Sequence, residues 1–245
     1  MKPKILLLHG SGTNASIFGL QSRKLAALLQ PHFDLVYLDA PTPCPPGPGV
    51  LPFFEGCEPY LTWMDDSGAV PEQAYWEGEA FEKLVGEVRG LMALEEEEGG
   101  LVGVVGFSMG AKVGMEVVRR LEADDNIEEG GEKGKTGGGV KVVVAVCGTV
   151  PFRGGVASST TAASEGDEAR EKAYRASLDK GRVKAESVHL IGDGDPWRAE
   201  GEKLVEFFED EGRRVIRFRG AHHMPADDAV NRQVVRVILA ACKGV

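Results

Sequence analysis

Leu101-Val102-Gly103-Val104-Val105-Gly106-Phe107-Ser108-Met109-Gly110 is the stretch whose reading decides the fold. Its first half is a short, continuous apolar run, as expected of a strand covered on both faces. Its second half is Gly-x-Ser-x-Gly, and Met109, Val113, Val117 and Leu121 then fall on one helical stripe. Strand, sharp turn and helix in that order hold a serine hydroxyl exposed at a sheet edge. Glycine at 106 and 110 permits the turn, because a side chain at either would collide with the neighbouring strand or helix. The helix start also directs the Met109 amide and a partial positive charge at a developing oxyanion. Ser108 therefore reads as a nucleophile.

Outward from this stretch, strand-like and helix-like segments alternate, the pattern of a mainly parallel sheet with helices on both faces. Ile5 to Leu8, Asp34 to Leu38, Val142 to Val146, Ser187 to Ile191 and Arg213 to Phe218 read as the other strands. Phe81, Leu84, Val85, Val88, Leu91 and Met92 form one apolar helix face. Val230, Val234, Val237, Ile238 and Ala241 form another. At 245 residues the chain suits a single α/β domain over 1–245.

A serine hydroxyl is a weak nucleophile at neutral pH and needs a base, which a fold of this kind supplies from a loop after its last strand. His222 and His223 lie there, in Gly220-Ala221-His222-His223-Met224-Pro225. His32 and His189 read as structural. His9 reads as shaping the first loop through its ring hydrogen bonds. An acid that orients the base is due in the turn after the preceding strand, Gly192-Asp193-Gly194-Asp195-Pro196, where spacing leaves Asp193 and Asp195 open. The order Ser, Asp, His along the chain is that of the α/β-hydrolase fold. His9-Gly10-Ser11-Gly12 follows the first strand and should complete the oxyanion hole through the backbone amide of Ser11 or Gly12, alongside Met109. The same loop fails the Gly-x-Gly-x-x-Gly spacing, since position 15 is alanine, and no nicotinamide cofactor is expected.

Composition excludes other classes. The net charge of −10 disfavours a nucleic-acid partner. No apolar run approaches the roughly 20 residues of a membrane span. The N-terminal apolar run is too short for a signal-peptide core, so a cytoplasmic location is expected. Cys44, Cys57, Cys147 and Cys242 show no zinc-ligand spacing; no metal is expected, and Cys147 and Cys242 read as buried, inert thiols.

Three stretches break the alternation. Pro41 to Pro52 should be an ordered loop lining the site. Asp124 to Gly139, with almost nothing to bury, reads as a mobile surface loop, and the neighbouring run Glu95 to Glu98 as a solvated face. A cap is expected over 151–184, Ser/Thr/Ala/Gly-rich from Pro151 to Ser164 and helical from Glu168 to Lys184. The latter segment carries six basic residues (Arg170, Lys172, Arg175, Lys180, Arg182, Lys184) against three acidic ones (Glu168, Glu171, Asp179).

The chain resembles the fungal serine hydrolase family, which includes stand-alone thioesterases of polyketide assembly. The resemblance rests on His9-Gly10-Ser11-Gly12 with Ile17, Phe18 and Gln21, on Phe33 to Pro41, on Gly47-Pro48-Gly49, on Tyr60 and Trp63, and on the serine, acid and histidine loops. It implies that Asp195 is the acid and His222 the base. It also implies hydrolysis of an acyl thioester or ester through an acyl-enzyme, with the acyl chain presented by an acyl carrier protein or, alternatively, a carboxylesterase acting on a free small metabolite.

Overall fold

A computed structural model describes residues 1–64, 72–93, 99–128, 139–150, 172 and 174–243. Strands β1 (Lys4–Leu8), β2 (Asp34–Leu38), β5 (Leu101–Phe107), β6 (Val142–Val146), β7 (Glu186–Gly192) and β8 (Arg213–Phe218) form one sheet in the order β2-β1-β5-β6-β7-β8. Every neighbouring pair is parallel. A two-residue antiparallel pair, β3 (Thr42–Pro43) with β4 (Leu61–Thr62), stands apart and was not foreseen from propensity.

Alternation along the strands divides the core into two layers. Leu6, Leu8, Val143 and Ala145 face helices α4 (Glu79–Met92) and α5 (Met109–Glu128), meeting Phe81, Leu84, Val85, Val88, Val113 and Val117. Ile5, Leu7, Val142, Val144 and Val146 face the opposite way, toward α1 (Ala15–Gln21), α2 (Arg23–Leu29) and α7 (Asp228–Ala241), meeting Phe18, Leu25, Val234 and Ile238. The faces of α4, α5 and α7 are the stripes read from the sequence, and each fully buried aliphatic side chain in the two layers contributes about 1.5–3 kcal/mol. Two shorter helices, α3 (Glu72–Trp76) and α6 (Arg198–Leu204), complete the set. No helix among the described residues is long and apolar enough to cross a membrane.

Two expectations require correction. The surface loop expected from Asp124 is helix through Glu128, because Asp124 pairs with Arg89 and Arg120 on an exposed helix face rather than leaving it. The remainder, 129–138, lies outside the described residues. The cap helix expected to Lys184 is helical at 174–178 and gives way to a turn before Gly181, whose φ of 105° no helix accommodates. Val183 then forms a parallel bridge with Phe208. Residues 151–171, like the glutamate run 95–98, lie outside the described residues.

The glycines of the elbow are tightly enclosed. A Cβ on Gly110 would sit 2.2 Å from the Leu8 carbonyl oxygen, and one on Gly106 2.4 Å from Ala111 Cα. On exposed Gly86 in α4 it would meet nothing within 4 Å. Gly110→Ala is therefore expected to lower stability by about 3 kcal/mol or more, and Gly86→Ala to raise it by about 0.5–1 kcal/mol. Urea denaturation of the two variants checks both signs.

Candidate active site

Ser108 leaves β5 in the left-handed region, with φ of 53°. Its amide donates to the Val146 carbonyl at 2.9 Å and its carbonyl accepts from the Ala111 amide at 3.1 Å, so bonds on both sides hold the bend. The hydroxyl is thereby turned out of the sheet, where His222 meets it with Nε2 2.9 Å from Oγ.

The imidazole is fixed from three directions. Its Nδ1 lies 2.9 Å from Asp195 Oδ2 and 3.1 Å from Oδ1. Its ring sits between Trp197, edge-on with centroids 4.4 Å apart, and Phe107 at 5.1 Å. A proton on Nδ1 shared with the carboxylate leaves Nε2 with a lone pair toward Ser108, the tautomer a general base needs. Asp195 follows β7 and is buried, with 2% of its side chain exposed. Burial alone would raise its pKa, but donation from His222, the Trp197 amide at 2.8 Å and the Cys147 thiol outweighs that and holds it below the ordinary value. Asp193 is exposed, and its amide bonds the Phe218 carbonyl. The structure thus brings together Ser108, Asp195 and His222 and leaves Asp193 outside.

Two of the other histidines have structural roles. His9 is buried; Nδ1 donates to the Gly10 carbonyl at 2.8 Å and Nε2 accepts from the Ala40 amide at 3.0 Å, tying the first loop to the end of β2. His189 lies inside β7 against Phe208, and burial, then the Arg213 charge, pushes it down to about 3. His32 is exposed.

The first loop corrects one expectation. The Gly12 amide donates to the Leu61 carbonyl at 2.9 Å and its carbonyl accepts from Gly47 at 3.0 Å, so its polar groups brace the Pro41–Pro52 loop and do not face the serine. Ser11 and Met109 remain. The Met109 amide opens a helix and has no intrahelical acceptor. Ser11 is oriented through its hydroxyl, which donates to Thr62 Oγ1 at 3.1 Å. Both line a cleft of about 640 Å³ together with Ser108 and His222. Pro48, Gly49 and Val50 supply one wall, as expected of that loop, and Phe107, Trp197 and Met224 give much of the rest an apolar surface.

Sequence reading missed Trp197 and Cys147. Trp197 follows the acid by two residues, a spacing that could have marked it. Cys147 is buried at the exit of β6, and its Sγ lies with one Asp195 oxygen and one His222 nitrogen within 4.8 Å of one another. Burial, then the Asp195 charge, pushes the thiol up to about 12. A proton-retaining thiol beside an already hydrogen-bonded Asp–His pair is a donor set for a proton relay rather than for a divalent metal.

Residues 1–234 match the family described as Serine hydrolase (FSH1). The chain is similar to Esterase FUS5 of Gibberella fujikuroi, 29% identical over 239 residues that cover 97% of this chain and 86% of that protein. It is similar also to Thioesterase FSL2 of Gibberella zeae, 29% identical over 249 residues, covering 97% and 92%. The solved monoacylglycerol lipase of Paleococcus ferrophilus superposes with a TM-score of 0.55 at 15% identity, covering 98% of this chain and 96% of the other. That likeness is one of fold, and with the parallel strand order it makes this an α/β-hydrolase fold.

Because the folded Asp195 pKa is depressed, its ionised form contributes stability that is present above the unfolded value and lost as pH falls through the folded one. In Asp195→Asn the stability-against-pH curve should be flatter than wild type below about pH 4, whatever its absolute height. Urea unfolding at a series of acidic pH values measures the slope; equal slopes would contradict the depressed pKa.

Proposed function

The chain belongs to the serine hydrolase (FSH1) family, and from that premise we propose that it releases an acyl chain from a thioester or ester through an acyl-enzyme on Ser108. The observation that carries this reading is the continuous 2.9 Å relay from Ser108 Oγ through His222 to Asp195 Oδ2. In it, His222 Nε2 takes the hydroxyl proton as Oγ attacks the acyl carbonyl, and Asp195 stabilises the imidazolium. The amides of Ser11 and Met109 donate to the developing oxyanion. The imidazolium of His222 then protonates the departing thiolate or alkoxide, and the neutral base so restored activates the water that cleaves the acyl-enzyme.

The apolar cleft walls favour an aliphatic acyl chain over a charged one. We infer a thioester carried by an acyl carrier protein, in keeping with the relative named a thioesterase; the relative named an esterase supports the second reading, a free small-molecule ester. An acidic carrier meets a chain of net charge −10, so contact requires a local positive face. We assign that face to Lys180 and Arg182, both exposed beyond the helical turn at 174–178.

Ser108→Ala should abolish hydrolysis of acyl-N-acetylcysteamine thioesters and labelling by a fluorophosphonate probe. Asp195→Asn should lower kcat by about 10⁴-fold, as in other serine triads, while Asp193→Asn keeps most activity; the reverse ranking would reassign the acid. For the carrier, Lys180→Glu/Arg182→Glu should raise KM for acyl-carrier substrates several-fold, more steeply at low salt, and leave N-acetylcysteamine thioesters unaffected. Equal kinetics on both would favour the free-ester reading.

A further inference from the structure

Among the described residues, Ser108 and Cys147 are the non-glycine residues in the left-handed region of backbone space, at φ of 53° and 46°. They stand side by side. Phe107 and Val146 are partners in the parallel register of β5 and β6, so each residue is the first beyond its strand. Such a backbone costs on the order of 1 kcal/mol or more and persists where the surroundings enforce it, which is why outliers gather at functional sites. For Ser108 the purpose is exposure of the hydroxyl. Cys147 is turned inward instead, with 2% of its surface accessible.

Its surroundings are acceptors. Sγ lies 3.7 Å from the carbonyl oxygen of Ala221 and 3.7 Å from that of His223, the two residues that bracket His222. Sγ and one Asp195 carboxylate oxygen also lie within 4.8 Å of each other. The S–H is therefore shared by the carbonyls on either side of the base. The Cys147 amide meanwhile donates to the Leu190 carbonyl at 2.8 Å, anchoring this bend to β7, the strand that delivers Asp195. Being protonated at any physiological pH, the thiol is a donor and not a second nucleophile.

We propose that Cys147 is a positioning residue of the relay, its S–H aimed by the left-handed bend at the carbonyls on either side of His222 to fix the register of the loop that carries the base. This rests on reading Ser108, His222 and Asp195 as the catalytic triad. A weak donor suits the place. A neutral thiol restrains the histidine loop without placing a charge beside the imidazole, as a cationic donor would.

The experiment compares Cys147→Ser, Cys147→Ala and Cys147→Gly with wild type and Ser108→Ala, using p-nitrophenyl butyrate turnover, fluorophosphonate labelling rate and thermal melting. Serine keeps a donor at the same backbone angle; alanine removes it; glycine removes it and also relieves the backbone. Alanine and glycine are expected to share a fall in kcat of about 10-fold, with KM within about twofold of wild type, although their melting temperatures differ. Serine should restore kcat to within about threefold. Labelling should slow in the same order as kcat. Loss that follows melting temperature, or serine no better than alanine, would overturn the role and leave only packing. Turnover surviving in Ser108→Ala would sink the triad on which the role depends.

Discussion

The constraint on which the rest depends is the approach of the first turn of α5 to the exit of β1. At Gly110 the backbone comes so near the Leu8 and His9 carbonyls that a Cβ would lie 2.2 and 2.6 Å from them. That contact fixes where the helix begins, and the helix beginning fixes the bend that presents Ser108. It also pins the first loop, because Gly10 is pressed on the Phe107 ring and Ser108 Cβ, where an added Cβ would stand at 3.1 and 3.3 Å. Nucleophile and oxyanion donors are thus set by one steric fact rather than by separate devices.

From that edge the sheet order does the remaining geometry. Ser108, Cys147 and Asp195 follow β5, β6 and β7, which are consecutive neighbours, and His222 comes from the loop after β8. Parallel strands stand about 4.8 Å apart, so serine and acid begin about 10 Å apart, a gap that one imidazole and two hydrogen bonds span. The middle strand ends beneath the imidazole, which is why a residue there faces the acid and the histidine loop at once.

Much of this was legible because it is periodic or punctuated. Asp34–Leu38, Val142–Val146 and Arg213–Phe218 are strands with the bounds read from their apolar runs and turns. The triad candidates were legible as strand-exit residues in a telling order, although spacing could not choose between Asp193 and Asp195. Burial chooses Asp195. What escaped depends on contacts distant in sequence: the Gly12 amide is taken by Leu61, in a strand of two residues too short to leave a periodic signal. Cys147 was read correctly as inert, but its aim follows from a backbone angle that composition does not encode. The stretch from Asp124 reads as loop because it offers almost nothing to bury, yet the ion pairs of Asp124 with Arg89 and Arg120 lie on a helix that runs through Glu128.

The relay is also graded in exposure, and the gradient matches the work of each group. The Asp195 side chain is 2% exposed and that of His222 17%, while Ser108 opens on the cleft. Burial opposes the charge of a carboxylate so deep, and donation from the imidazole and the Trp197 amide opposes burial, holding its pKa below the ordinary value. The imidazolium is then stabilised in a medium of low dielectric constant, shielded by the Phe107 and Trp197 rings, at the moment Ser108 gives up its proton. Moving the charge outward would relax the demand for donors but weaken the field at the base, so burial and hydrogen bonding of the acid are two halves of one requirement.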